Sequence, residues 1–262
     1  MIFSPYPRLG RKPHNPEHLA LAPKISAATL AGLPKPPDKL DRNAVNLVPA
    51  LAYNDVAPDC TAVALLNYLL AFAALNNAPR LLYQRDKVLE FYAECADLPP
   101  HPSYDQIIDS DGAVMLDVLK RQHDLGFDCG TGLLYRGEFG TVDPHDLGAL
   151  RTIVNATGGM NIGVDLALSD QSAEIWDTDL PASAGDPAPG SWGGHDLILF
   201  DYDGTDDTDL VTWLTWGKRK KSTVRWLKSR IAEAHGMAWG QFMPASGKTW
   251  LGLSYDQLRL AA

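Results

Sequence analysis

Residues 53–69 read YNDVAPDCTAVALLNYL, and from Cys60 the chain continues as CTAVALLNYLLAFAAL to Leu75. A polar, proline-interrupted approach therefore gives way at Cys60 to sixteen residues that are apolar on every face, with Asn67 the one strongly polar interruption. Such a run describes a helix buried in protein, because a bilayer span needs about 20 residues. We expect the helix to cover Cys60 to Asn76, with Asp59 in the capping position. Cys60 then falls in the first turn, where unpaired N–H groups and the helix dipole favour a thiolate over a thiol. By itself a cysteine in such a place is more often a packing residue than a nucleophile.

Outward from this helix the two halves of the chain differ. Residues 1–50 hold many prolines, among them Pro34, Pro36 and Pro37, and no sustained period; they are expected to form an extended arm ahead of one domain over 51–262. Met1 to Gly10 lacks the apolar run of a secretory signal, so the chain is expected to stay in the compartment where it is made. Further helices are predicted from Leu82 to Cys95 and from Asp111 to Leu125, the latter ended by Gly126. Beyond Gly158 the runs MNIGVDLAL (160–168), DLILFDYD (196–203) and LVTWLTWG (210–217) have the composition of strands. Between them PASAGDPAPGSWG (181–193) is a loop delivering the chain to His195. The class is α+β, with helices first and sheet second.

Composition narrows the function. The 262 residues are 45% hydrophobic, enough for a full core, and carry a net charge of −9, which argues against nucleic acid as a partner. Three cysteines, Cys60, Cys95 and Cys129, are too few for a disulfide framework, and without CxxC or CxxH companions they suggest no zinc site. The acidic stretch DYDGTDDTD (201–209) lacks the sixth-position Gly and distal Glu of a calcium loop. The basic run KRKKSTVRWLKSR (218–230) reads as a solvated helix face or a contact for an acidic partner. No cofactor, metal or membrane is called for.

His195 lies in SWGGHDLILFDYD (191–203), 135 residues after Cys60, within the ~130 to 150 residue spacing of Cys and His in papain-type enzymes. A hairpin pairing 196–202 with 210–216 about DGTDD brings Thr215 and Trp216 beside that histidine. Trp192, Trp213, Trp216 and Trp239 are candidates for a cleft lining, with core packing the commoner role.

Four stretches carry a resemblance: YNDVAPDCTAVALLNYL, DGAVMLDVLKRQHDLGF, GGHDLILFDYD, and TWGKR followed by HGMAWGQF. Together they span roughly residues 34 to 258, and the chain resembles papain-like cysteine peptidases, most closely the divergent bacterial and phage forms. The resemblance implies a two-lobed fold with a helical left lobe and an antiparallel β right lobe. It implies Cys60 as nucleophile, His195 as its acid–base partner with a ring nitrogen within roughly 4 Å of the sulfur, Asn54 as oxyanion donor with the Cys60 N–H, and Thr215 as the group orienting the imidazole. The sequence departs from the family at several of these points. Thr215 stands where papain has Asn, Thr61 where it has Trp, Pro58 and Asp59 replace small residues, and Asn54 is a methylene shorter than the usual Gln. Two functions remain open. One is a cysteine hydrolase, peptidase or isopeptidase, acting on a peptide or protein, with a transglutaminase-like amine acceptor sharing the same residue order. The other is a catalytically silent papain-fold protein packed against neighbouring subunits of an assembly such as a phage virion or tail. The arm either wraps such a neighbour or covers the cleft as a propeptide does, and the location is cytoplasmic or, for a phage protein, the virion.

Overall fold

The helix that starts at Cys60 is inaccessible from Cys60 through Ala73, so it needs partners on every side. Its one mid-length polar group is answered by the chain just upstream: the Asn67 carboxamide accepts from the Ala50 N–H at 2.6 Å and donates to the Ala50 carbonyl at 3.3 Å. Asn67 thus fixes how residue 50 approaches the helix.

A computed structural model describes residues 6–178 and 185–260. In chain order its elements are β1 (Arg11–Lys12), α1 (Pro16–Ala20), α2 (Ala27–Gly32), α3 (Cys60–Leu75), α4 (Arg85–Cys95), α5 (Tyr104–Ile108), β2 (Ala113–Val114), α6 (Met115–Leu125), β3 (Glu138–Val142), α7 (Leu147–Thr157) and β4 (Met160–Leu166). There follow β5 (Ile175–Trp176), β6 (Gly193–Tyr202), β7 (Leu210–Thr215), β8 (Lys218–Thr223), α8 (Val224–Arg230), β9 (Ile231–Ala238) and α9 (Tyr255–Leu258). Helices α3, α4 and α6 pack on one another as one lobe. The other is a seven-stranded sheet ordered β3-β9-β4-β6-β7-β8-β5, antiparallel except for the β5–β8 edge. Helix α3 lies against β6 and β7, which brings the helical lobe to the strand that carries His195.

The expected class holds, and four local expectations are corrected. The second helix starts at Arg85, not Leu82, because residues 81–84 take up no helix and the extended Gln84 donates its N–H to the Cys129 carbonyl at 2.7 Å. The third starts at Met115, because Ala113 and Val114 form a strand with Arg11 and Lys12. Asp59 makes no capping bond; its backbone, at φ −93° and ψ 18°, lacks the extended conformation from which a side chain reaches the first-turn N–H groups. The basic run is not one helix face: Lys218–Thr223 is strand β8, and only Val224–Arg230 is helical. There Arg230 is buried against Asp170 at 3.3 Å. Of the loop at 181–193, residues 181–184 lie outside the described residues.

Residues 6–50 run along both lobes. Asn15 and Ser26 cap α1 and α2 through their side chains, Ile25 donates to the Thr141 carbonyl at 2.9 Å, and Leu40 exchanges backbone bonds with Tyr202. Two arginines of this segment are buried. Arg42 donates to the carbonyls of Phe200 at 2.7 Å and Val154 at 2.8 Å, and Arg11 enters the sheet lobe.

Candidate active site

Strand β6 and its hairpin partner β7 build the histidine's surroundings. The Nε2 of His195 is hydrogen-bonded to Thr215 Oγ1 at 2.7 Å. Trp216, turned by a φ of +47°, stacks on the imidazole with ring centres 4.4 Å apart and planes 19° from parallel. Trp192 leans on Trp216 at 5.8 Å. The ring is therefore held by one polar and one aromatic contact, while Nδ1 carries no hydrogen bond. Burial, with the charge of Arg11 adding to it, pushes the imidazole down to about 3; His195 is neutral near pH 7.

Cys60 faces this strand from the first turn of α3. The backbone N–H groups of Asp196, the residue after His195, and of Gly10 lie towards its sulfur and favour the thiolate. Burial, reinforced by the Asp196 carboxyl, pushes the thiol up to about 12. Nδ1, the ring nitrogen left for the thiol, makes no hydrogen bond to it in this state.

Asn54 is buried six residues ahead of Cys60, and its amide nitrogen carries no hydrogen bond. The side chain lies beside Asp59, whose carboxyl is pushed up to about 8 by burial against the opposing influence of Asn54 and of backbone N–H groups. The four residues singled out in the sequence are thus all buried: Cys60 and Asn54 in the helical lobe, His195 and Thr215 in the sheet lobe.

The sequence left open that the arm covers the cleft, but gave no sign that Gly10 is the residue beside the sulfur. Gly10 is wedged so tightly that a Cβ on it would lie 1.7 Å from the Pro58 carbonyl oxygen, and its own carbonyl accepts from Ala113 N–H at 2.8 Å. On the opposite wall a Cβ at Gly194 would meet the Arg11 carbonyl at 2.3 Å. The arm therefore threads between the lobes at a point where only glycines fit. Arg11 then inserts its side chain beside Glu233 at 2.9 Å and against Asp165, and His235 joins Glu233 at 3.1 Å. The period of EAHGMA (233–238) in β9, with Glu233 and His235 two apart, was the available signal for this cluster. Nothing in the sequence pairs it with an arginine 222 residues away.

No protein-family model and no curated protein matches the sequence. Solved structures do. Xylellain, a cysteine protease from Xylella fastidiosa, superposes with a TM-score of 0.61 over 90% of this chain and 98% of its own, at 15% identity. The fold is papain-like. Within the same papain-like group, procathepsin B S9 from Trypanosoma congolense gives a TM-score of 0.59 over 88% of this chain and 86% of its own, at 9% identity. Procathepsin L 3 of Tenebrio molitor larval midgut gives 0.52 over 89% and 75%, at 11% identity.

Proposed function

We propose that this chain is a papain-like cysteine hydrolase acting on peptide or isopeptide bonds, held latent here by its own N-terminal segment. The observation that carries the reading is His195: Nε2 is fixed by Thr215, the ring is clamped by Trp216, and Nδ1 is left unpartnered on the strand that also feeds an N–H to the Cys60 sulfur. An imidazole oriented through one nitrogen with the other free suits a base that takes a proton from a nucleophile.

With the arm displaced, water and substrate reach the pair and the proton passes from Sγ to Nδ1. The thiolate adds to the carbonyl carbon, and the oxyanion is met by the Cys60 N–H and by the amide of Asn54, which is buried beside Asp59. His195 returns its proton to the leaving amine as the C–N bond breaks, leaving a thioester on Cys60. Water then adds to the thioester, His195 taking its proton and passing it back to sulfur. In the covered state this cannot start. Both groups are neutral, and Gly10 offers the sulfur an N–H rather than a carbonyl carbon, its own carbonyl being held by Ala113.

The glycine-tight seating of the arm favours one other reading, a permanently closed papain fold acting as a subunit of an assembly such as a phage virion or tail. Intact mass after purification and incubation under reducing conditions separates the two. Loss of the arm, abolished by Cys60→Ala, supports the hydrolase; an unprocessed, unreactive chain within a multi-subunit particle supports the subunit.

A further inference from the structure

We infer that the buried acidic pocket holding Arg11 is a specificity pocket for a guanidinium side chain, so that the hydrolase selects peptides bearing Arg within a residue or two of the bond attacked. The inference rests on the function proposed above and names the substrate class of that same cleft.

The pocket has a floor, walls and charge. Its floor is Gly163 on β4: a Cβ there would lie 2.8 Å from Arg11 Cδ, 2.8 Å from Met115 Sδ and 2.7 Å from Glu233 Cγ. The missing side chain is what leaves room for the aliphatic stem of the arginine. At the end stands Glu233, fully buried, 2.9 Å from one guanidinium nitrogen, with Asp165 receiving the other. Glu233 is braced behind by His235, whose far nitrogen is hydrogen-bonded to Thr141 at 2.9 Å. The buried Asp196 lies near both Glu233 and Arg11, and His14 approaches Glu233 at 3.5 Å.

A buried carboxylate that loses its cation is strongly unfavourable, so this pocket calls for a positive occupant. The occupant in place comes from the residue adjoining the one that lies on the Cys60 sulfur, and its backbone pairs with β2 as an added strand. Backbone pairing supplies affinity in that mode, and a pocket for one side chain supplies selection. A peptide that displaces the arm along β2 meets the same acidic pocket beside the same thiol. Arg fits better than Lys here, because two carboxylates meet two separate guanidinium nitrogens.

The test uses the full chain with Arg11→Ala, which vacates the pocket, and reads melting temperature in the presence of N-acetylarginine methylamide or N-acetylleucine methylamide. The arginine compound is expected to raise the melting temperature of Arg11→Ala, to leave wild type unchanged because its pocket is filled, and to lose its effect in Arg11→Ala/Glu233→Gln. The leucine compound is expected to do nothing. Gly10→Leu, which lifts the arm and takes Arg11 out of the pocket with it, serves as the starting chain should Arg11→Ala fail to fold. A second readout is labelling of Cys60 in Gly10→Leu/Arg11→Ala, whose arm is lifted, by peptidyl epoxides differing only in Arg or Leu, with at least a tenfold faster rate expected for Arg. Equal stabilisation by both compounds, or by neither, overturns the pocket whatever the thiol does. Stabilisation by the arginine compound alone, with no epoxide reacting at Cys60, upholds the pocket and counts against the hydrolase.

Discussion

Thr215 Oγ1 and His195 Nε2 are hydrogen-bonded at 2.7 Å in a site from which water is excluded. A hydroxyl at this position can orient the ring as an amide does, but it offers a single oxygen on a shorter side chain. The alignment of His195 is therefore shared with Trp216, which stacks on the ring face. Hydrogen bonds to a group that becomes charged are worth about 1.5–3 kcal/mol, so Thr215→Val should slow turnover roughly 10- to 100-fold. Thr215→Asn should keep the fold and raise the rate above wild type. Peptide hydrolysis measured in a background that frees the cleft checks both.

Gly10 is the point at which the arm can be displaced with one substitution. A leucine there cannot coexist with the Pro58 carbonyl 1.7 Å from its Cβ, and rearranging backbone on the Pro58 side would disturb the approach to α3. Gly10→Leu should expose Cys60, and its alkylation by iodoacetamide at pH 8 should run at least tenfold faster than in wild type. Equal rates would mean that the arm does not shield the sulfur.

Docking of the arm should depend on pH through Glu233. Burial alone would push this carboxyl up, but the hydrogen bond and charge of His235, with the charges of Arg11 and His14, outweigh it and hold the group at about 2 against an ordinary 4.5. A depressed carboxyl contributes stability above its unfolded value and loses it as pH falls towards the folded one. The contribution is therefore complete above about 4.5 and fades between there and about 2. Around it stand Arg11, His14, Asp165, Asp196 and His235. Pepsin cleavage within residues 6–20 should begin in that window, and Glu233→Gln should already be cleaved at its upper end. An unchanged cleavage profile in Glu233→Gln would contradict the assignment.

Asp59 gives the opposite slope. Burial raises its carboxyl to about 8, so the folded chain holds a proton that the unfolded chain has released, and this residue makes stability fall as pH climbs from about 3.8 to about 8. Each unit of such a difference is worth about 1.4 kcal/mol. Asp59→Asn, similar in shape and uncharged, should raise the melting temperature by more at pH 8 than at pH 5. A gain equal at both values would show that Asp59 is not the group responsible.

Much of this was legible because it rests on local chemistry. The unbroken apolar run after Cys60 has no solution except burial, and the alternation around DGTDD fixes a hairpin that carries Thr215 and Trp216 to His195. Helix starts were less legible where tertiary pairing overrides propensity, as at Ala113 and Val114, which join the arm instead of α6. Asp59 looked like a cap because its residue type favours one, and its backbone angles forbid it. The Arg11 pocket was invisible: its charges come from positions 11, 165 and 233, with no spacing rule to link them. It becomes readable only once Gly10 and Gly194 are seen to let the arm through.

Once the arm is lifted, Cys60 and His195 should work as a nucleophile–base pair. The most direct measurement is intact mass of Gly10→Leu and Gly10→Leu/His195→Ala after incubation with a peptidyl epoxide, with iodoacetamide as a control for access to the sulfur. One adduct mapping to Cys60 is expected, formed at least a hundredfold faster when His195 is present, while iodoacetamide modifies Cys60 in both chains. No epoxide adduct, or one formed equally fast without His195, in chains whose Cys60 does react with iodoacetamide, would contradict it.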